Sequence, residues 1–408
     1  MELERLSQER PISGVFKQEA SDFIVEEITQ NGTTLETNKV YDPSDLGEKE
    51  SAGRFTTFIL QKTDWNTVQA LREISKKLMK GRKSFGFAGT KDRRSISVQR
   101  CSIFGVEPSD IMNVHVKDVS INGAWKSDEG VKLGELLGNR FTIAIHTEDK
   151  DAMEKTQAIM KDLDKFPNYF GMQRFGNRGN NVEVGLGILK GDFEKSAISF
   201  LTDTKNETNH DAVEARKKLS ESLDFKDALS YFPSYLRYER QMLESLAKNP
   251  SDYANALRKL PRQITLMFVH SVESYIFNKE LGMRLRDPEA HAGDLVCKKD
   301  SFGFPDLSEV YTFNEDDRNC LLVGNIVGYN TKNITDCEKD IMEELGINSE
   351  DFRVKRMPEL NCKGQYRVLF SPVKEFGVQQ VESENVIKLG FSIPAGAYAT
   401  ALLNEIVR

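Results

Sequence analysis

The chain has 408 residues, with 39% hydrophobic and 29% charged side chains and a formal net charge of −7, which is room for two or three ordinary globular domains. No apolar run approaches the length that spans a bilayer, and the first residues lack the apolar core of a secretory signal. Five cysteines, odd in number, scattered and without a C-x-x-C, argue against a disulfide framework and against zinc and fit reduced thiols in a cytoplasm; the five histidines show no metal-ligand spacing.

In chain order, residues 12–28 read as paired strands, with Phe23 and Val25 sharing a face. Lys17, taken alone, reads as a surface lysine. Residues 30–53 are polar and read as a long loop. Phe55 to Lys62 is a strand. Asn66 is placed to cap a helix running to about Lys80, whose buried stripe is Val68, Leu71, Ile74 and Leu78. Phe85 to Phe87 begins a short strand; Gly86 and Gly89 let the backbone turn and approach something closely. Asp92 follows among Lys91, Arg93 and Arg94, and Ile96 and Val98 resume strand alternation.

Val114 to Val119 and Phe141 to Ile145 read as further strands, and Asp151 to Leu163 as a helix. The stretch 166–181 is dense in Gly, Asn, Arg and aromatic residues. With Arg174 and Arg178 beside its rings, it can stack bases and grip phosphates. Residues 202–210 read as a linker and 211–260 as charged helices. Gln263 to Leu285 is a longer helix with a thick apolar face, ended by Pro288. Residues 293–370 mix short strands with one helix at about Asp336 to Leu345. Val386 to Ile393 is a strand, and a small-residue helix closes the chain.

The chemistry concentrates at residues 85–99. A carboxylate on a glycine-bearing turn, surrounded by cations, should stay ionised. Such a turn also fits an exposed Asp that only pairs with its neighbours. The charge count favours a site. Residues 71–100 hold ten Lys/Arg against Glu73 and Asp92, a net of +8, so the rest of the chain carries −15. A basic island on an acidic protein is the footprint of polyanion binding. A solvated helix face would account for Lys76, Lys77 and Lys80 but not for the island's continuation through Arg82, Lys83, Arg93, Arg94 and Arg100.

Four blocks resemble the TruD family of tRNA pseudouridine synthases, and the piece 205–261 looks more archaeal or eukaryotic than bacterial. The blocks are Phe16-Lys17 with Asp22-Phe23-Ile24-Val25-Glu26-Glu27; Ala88-Gly89-Thr90-Lys91-Asp92 with Gln99; Pro167-Asn168-Tyr169-Phe170-Gly171 with Gln173-Arg174-Phe175-Gly176; and Phe391-Ser392-Ile393-Pro394-Ala395-Gly396 with Ala399-Thr400. They fall in the family's order and span nearly the whole chain. The resemblance implies isomerisation of a flipped-out uridine of tRNA, at position 13 in the D-arm, without cofactor or metal. It implies Asp92 as the catalytic carboxylate and Lys17 as its basic partner. It places Phe170 and Phe23 as pocket rings and Asn168 as a hydrogen-bonding group. Gly89, Lys91 and Arg174 are further substrate-binding candidates, and Lys76, Lys77, Lys80, Arg82, Lys83, Arg93 and Arg94 are candidates for the RNA backbone.

The expected fold is α+β: a pseudouridine synthase domain with a central, largely antiparallel sheet flanked by helices. It is expected to comprise 1–204 with 262–289 and 371–408, interrupted by a helical insertion at 205–261 and an α+β TRUD insertion at 290–370. The expected partner is tRNA, with no membrane, no metal and no obligate protein partner, in the cytoplasm. The rival of another class is a non-catalytic RNA-binding protein on the same fold, which need not keep an acid at residue 92. A glycosidase-type hydrolase would need two carboxylates about one bond, and the 85–100 block holds one.

Overall fold

The computed structural model describes residues 3–161, 163–315, 317, 319–381 and 385–408. The chain divides into two compact units. One is built mainly from Asn168–Lys298 and Leu307–Leu369, the other from Arg5–Pro167, Lys299–Asp306 and Phe370–Arg408. Helices and sheets are mixed in an α+β fold.

The second of these units is organised on a nine-stranded sheet. Seven strands run in the order Lys374–Val381, Val386–Pro394, Gly138–His146, Phe23–Ile28, Ile96–Phe104, Phe55–Thr63 and Val119–Ser127. Val15–Phe16 pairs with Gly138–His146, and Phe85–Phe87 with Ile96–Phe104. Among the described residues every strand pairing of this sheet is antiparallel except one: Phe23–Ile28 and Ile96–Phe104 run parallel, Ile24 opposite Ile96 and Glu26 opposite Val98. Parallel neighbours enter a sheet from the same end. The segments that precede them, one bearing Lys17 and the other Asp92, are therefore delivered to the same end of the sheet.

Strand alternation selects what is buried. Phe58 and Leu60 point to one face and pack with Leu71 and Ile74 of the helix Thr67–Lys77. Each such side chain, once fully buried, contributes about 1.5–3 kcal/mol. The Asn66 side chain accepts the Gln69 N–H at 2.8 Å, as its capping position requires. A second core joins Ile143, Ile145, Leu389, Phe391 and Ile393 to the helices Ala152–Lys161 and Ala399–Ile406.

Four details differ from the sequence reading. The strands at 15–16 and 23–28 pair not with each other but with Gly138–His146. The expected strand at 114–119 is the approach to a turn, closed by a Val116–Val119 bridge with Asp118 at φ 59°; the strand proper is Val119–Ser127. The first helix stops at Lys77, because Met79 takes the left-handed conformation at φ 51°. The strand Lys374–Val381 is additional; its alternation of half-buried and exposed positions is that of a sheet edge.

In the other unit the helices Asn181–Leu189, Phe193–Thr202, His210–Ser222, Phe225–Tyr231, Arg237–Lys248 and Tyr253–Leu257 pack with the long helix Arg262–Arg284 about one apolar core. A four-stranded sheet follows, in the order Pro305–Thr312, Leu295–Lys299, Cys320–Ile326, Gln365–Val368. The long helix is not apolar all round: Glu273, Asn278 and Glu280 are buried on it.

Candidate active site

Asp92 sits on the loop between Phe85–Phe87 and Ile96–Phe104, with 71% of its side chain exposed. Lys17 reaches it from the sheet's entry end: Nζ lies 3.7 Å from Asp92 Oδ2 and 3.9 Å from the centre of the Phe23 ring. Lys17 is itself in the left-handed region at φ 63°, where a side chain other than glycine is strained. Asp22 maintains that turn. Its Oδ2 accepts the N–H groups of Gln18 and Glu19 at 2.9 and 3.0 Å and lies 3.1 Å from His146 Nε2. Burial pushes the Asp22 carboxyl up, but the Glu19 N–H and His146 outweigh it and hold it below its usual range.

Beneath the exposed carboxylate, the loop is fastened by largely buried side chains. The Lys91 ammonium is buried, 3.0 Å from Glu27 Oε2 and 2.6 Å from Asn139 Oδ1. The Lys91 N–H donates to Thr67 Oγ1 at 2.9 Å, and the Thr67 hydroxyl donates to Gln99 Oε1 at 2.7 Å. The Gln99 amide then donates to the Gly89 carbonyl at 2.9 Å. Lys62 closes the arrangement: its buried Nζ donates to the carbonyls of Trp65 at 2.5 Å and Asp92 at 3.1 Å. Burial, reinforced by the charge of Lys91, pulls its ammonium down to about 8. Gly89 and Lys91 thus hold the loop's shape.

Of the expected RNA contacts, Lys76, Lys77, Lys80, Arg82, Lys83, Arg93 and Arg94 are all exposed. Lys76 pairs with Glu73 at 2.6 Å, and Arg93 Nε donates to the Asp64 carbonyl at 3.2 Å.

Asn168, Phe170 and Arg174 belong to the other unit, where they form a cluster of their own. The Phe170 ring packs edge to face on Phe277 at 5.5 Å, with the guanidinium groups of Arg367 and Arg174 at 4.3 and 5.2 Å. Asn278 clamps its backbone, accepting the Phe170 N–H at 2.9 Å and donating to its carbonyl at 3.0 Å. Asn168 is buried; its amide donates to the Val368 carbonyl at 3.0 Å and its Oδ1 accepts from Arg367 at 2.5 Å.

The same unit gathers one group of metal-ligand type. His270, Glu273 and Cys362 bring an imidazole nitrogen, a carboxylate oxygen and a sulfur within 4.8 Å of one another, and among the described residues it is the one such group. That donor set suits a borderline divalent cation such as zinc. Burial, and then the positive charges of Arg174 and Arg262, hold the His270 imidazole below its usual range.

Lys62, Thr67 and Asn139 were not singled out from the sequence, and Asp22 and Glu27 stood there only as members of a family block. Two carried a legible signal. Lys62 continues the inward face of Phe58 and Leu60, and Glu27 that of Phe23 and Val25, so each is a charged residue on an apolar stripe.

The model of the family tRNA pseudouridine synthase D (TruD) matches residues 3–406. A protein of Methanococcoides burtonii named "Probable tRNA pseudouridine synthase D" is 33% identical over 426 residues, covering 97% of this chain and 93% of the relative. One of the same name from Methanopyrus kandleri is 34% identical over 366 residues, covering 87% and 86%. A Methanosarcina mazei crystal structure described as "Putative tRNA pseudouridine synthase D (TruD)" superposes with a TM-score of 0.76 at 31% identity, covering 98% of this chain and 95% of that one. With an exposed carboxylate held beside a lysine and a family match along almost its whole length, the chain belongs to the TruD family of tRNA pseudouridine synthases, which are isomerases.

Proposed function

We propose that this protein converts a uridine in the D-arm of tRNA, at position 13, to pseudouridine, with Asp92 as the catalytic carboxylate. The observation that carries the proposal is the geometry at Asp92. The carboxylate is exposed, a lysine from a distant segment stands 3.7 Å away, and the backbone beneath is fixed. A rigid loop presenting one solvent-facing carboxylate suits attack on a bound ribose. It also suits removal of the ribose 2′ proton.

In the reaction the C1′–N1 bond breaks, the uracil turns while held, and C5 bonds to C1′; the proton on C5 leaves and N1 gains one, so the atoms balance. Lys17 orients the carboxylate and also stands over the Phe23 ring. The family resemblance assigns Phe23, Phe170, Asn168 and Arg174 to substrate binding. Flipping a base out of folded RNA costs a few kcal/mol, and stacking on a ring returns roughly 1–3 kcal/mol. Lys76, Lys77, Lys80, Arg82, Lys83, Arg93 and Arg94 take phosphates. No step so written calls on a metal or diffusible cofactor, and tRNA is the only partner it requires. The D-arm target and the roles of Phe170 and Asn168 rest on the family resemblance.

The test is a single-turnover assay of pseudouridine formation in tRNA. Asp92→Asn should lose at least about a thousandfold in rate while keeping its affinity for tRNA, because an amide is neither nucleophile nor base. Turnover within tenfold of the unaltered enzyme would refute the assignment. Base-resolved mapping of the product locates the modified uridine; one outside the D-arm would refute that part.

A further inference from the structure

The Arg5–Pro167 unit carries a pocket of about 520 Å³ that the chemistry at Asp92 does not use. Its walls are the rings of Phe55, Phe85 and Phe104, and Lys83 and Lys132 stand among its lining residues. Phe104 ends its strand 37% exposed, edge to face with Phe55 at 5.1 Å, and the Arg54 guanidinium lies 4.5 Å over its ring. A large ring left open on a sheet end, with a planar cation against it, forms a stacking shelf.

The floor of the pocket is closely packed. A Cβ on Gly86 would stand 2.2 Å from the Val131 carbonyl oxygen and 2.7 Å from Ser102 Oγ, and one on Gly130 would stand 2.7 Å from the Phe55 ring. Ser102 Oγ also accepts the Val131 N–H at 2.8 Å. The surroundings favour an anion. Lys80, Arg82 and Lys83 are exposed, and among the described residues none of them makes an ion pair; Lys132 is met by Glu129 at 2.5 Å. The pocket is also tied to the catalytic loop. Phe85 and Gly86 line it and lead straight to Ala88, whose carbonyl accepts the Gly134 N–H at 2.8 Å. Six residues from Gly86 to Asp92 span at most about 20 Å.

We propose that this pocket is a second nucleobase site: an unstacked base of the substrate RNA, outside the one being isomerised, lies on the Phe104 ring while its phosphates meet Lys83 and Arg82. Rings accept any base by its face, and cations beside them hold the backbone; this is how single-stranded RNA is gripped without strict sequence demands. The inference rests on the reading of the chain as a tRNA-modifying enzyme, and within that reading it names what holds the RNA beside the target.

The test uses the full chain and unmodified tRNA. Phe104→Ala, checked for an unchanged melting temperature, should weaken binding about 5- to 100-fold. Its single-turnover rate at saturating tRNA should stay within about twofold of the unaltered enzyme. Lys83→Glu, on an exposed side chain that folding does not need, should weaken binding and flatten the plot of log affinity against log salt by about 0.7–0.9. Ultraviolet crosslinking of the unaltered enzyme to tRNA should mark the peptide carrying Phe85 or Phe104. Unchanged affinity in Lys83→Glu, together with crosslinks confined to other peptides, overturns the proposal even if Phe104→Ala proves unstable. It would leave the pocket to a protein partner or to no ligand. If the unaltered enzyme forms pseudouridine while both variants bind normally, the pocket alone fails. If the unaltered enzyme forms none in any tRNA, the functional reading fails and the pocket proposal with it.

Discussion

At the scale of single residues the two lysines about Asp92 do different work. Lys17 offers its charge from a solvent-accessible side, 3.7 Å from the carboxylate. Screening limits such a pair, so Lys17→Met should slow turnover by roughly tenfold and change tRNA affinity less; an affinity loss as large as the rate loss would make Lys17 an RNA-binding residue instead. Lys62 acts through the backbone, because its ammonium meets the Asp92 carbonyl and not the carboxylate. It is a positioning residue. A loop displaced by about 1 Å costs on the order of a hundredfold in rate, and Lys62→Met should approach that with tRNA affinity kept. Its ammonium is pulled down to about 8 by burial, so the unaltered enzyme should lose rate above about pH 8. That limb should be missing in Lys62→Met. Parallel pH profiles would remove Lys62 from the mechanism.

At the scale of elements, the segment from the helix Thr67–Lys77 through the Asp92 loop is amphipathic in two senses. The helix buries Thr67, Ala70, Leu71 and Ile74, the loop buries Ala88 and Lys91, and the exposed positions are largely cationic. Thr67 belongs to the loop's fastening as well as to the helix, so the element that carries the basic island also braces the carboxylate. Neutralising Lys76, Lys77, Lys80, Arg82 and Lys83 together should weaken binding of all RNAs alike and flatten the salt dependence by about 0.7–0.9 for each phosphate no longer neutralised. An unchanged slope would mean that the island is only a solvated face. The helix and its Asn66 cap were readable because both signals are local. The strand Val119–Ser127 was misplaced because apolar alternation continues through its approach, and a left-handed Asp118 leaves no mark on a hydrophobic pattern.

At the scale of the whole molecule, stability is tied to pH by acids buried on the long helix Arg262–Arg284. Burial raises Glu273 from its ordinary 4.5 to about 8. Burial, and then the charge of Glu338, raise Glu280 to about 8 as well. Glu338 accepts N–H bonds from Thr335 and Asn325, so it is the better carboxylate of the two and Glu280 keeps the proton. Raised acids make the folded chain hold more protons than the unfolded one between about pH 4.5 and 8. Their contribution is therefore full below the unfolded value and is lost as pH rises towards 8. Glu273→Gln keeps the shape and removes that titration. The variant should gain on the unaltered protein as pH rises from 5 to 8, by an amount on the order of a few kcal/mol; a difference in melting temperature equal at both pH values would refute the buried-acid account.

The sequence by itself determined the lone acid among cations, the helix with its cap, and the order of the four blocks. Each is written in neighbouring residues, where spacing and residue type suffice. It also carried the charged residues Lys62 and Glu27 on apolar stripes, although their partners lie elsewhere in the chain. The tertiary structure decided what those charges do. Only the one parallel strand pair brings Lys17 to Asp92 across seventy-five residues of sequence. Only the packing of the long helix brings His270 and Glu273 beside Cys362, which no local spacing could announce. The physical reason is the same in both cases: strand partners and helix neighbours are chosen by burial summed over the whole core, and no short window of sequence contains that sum.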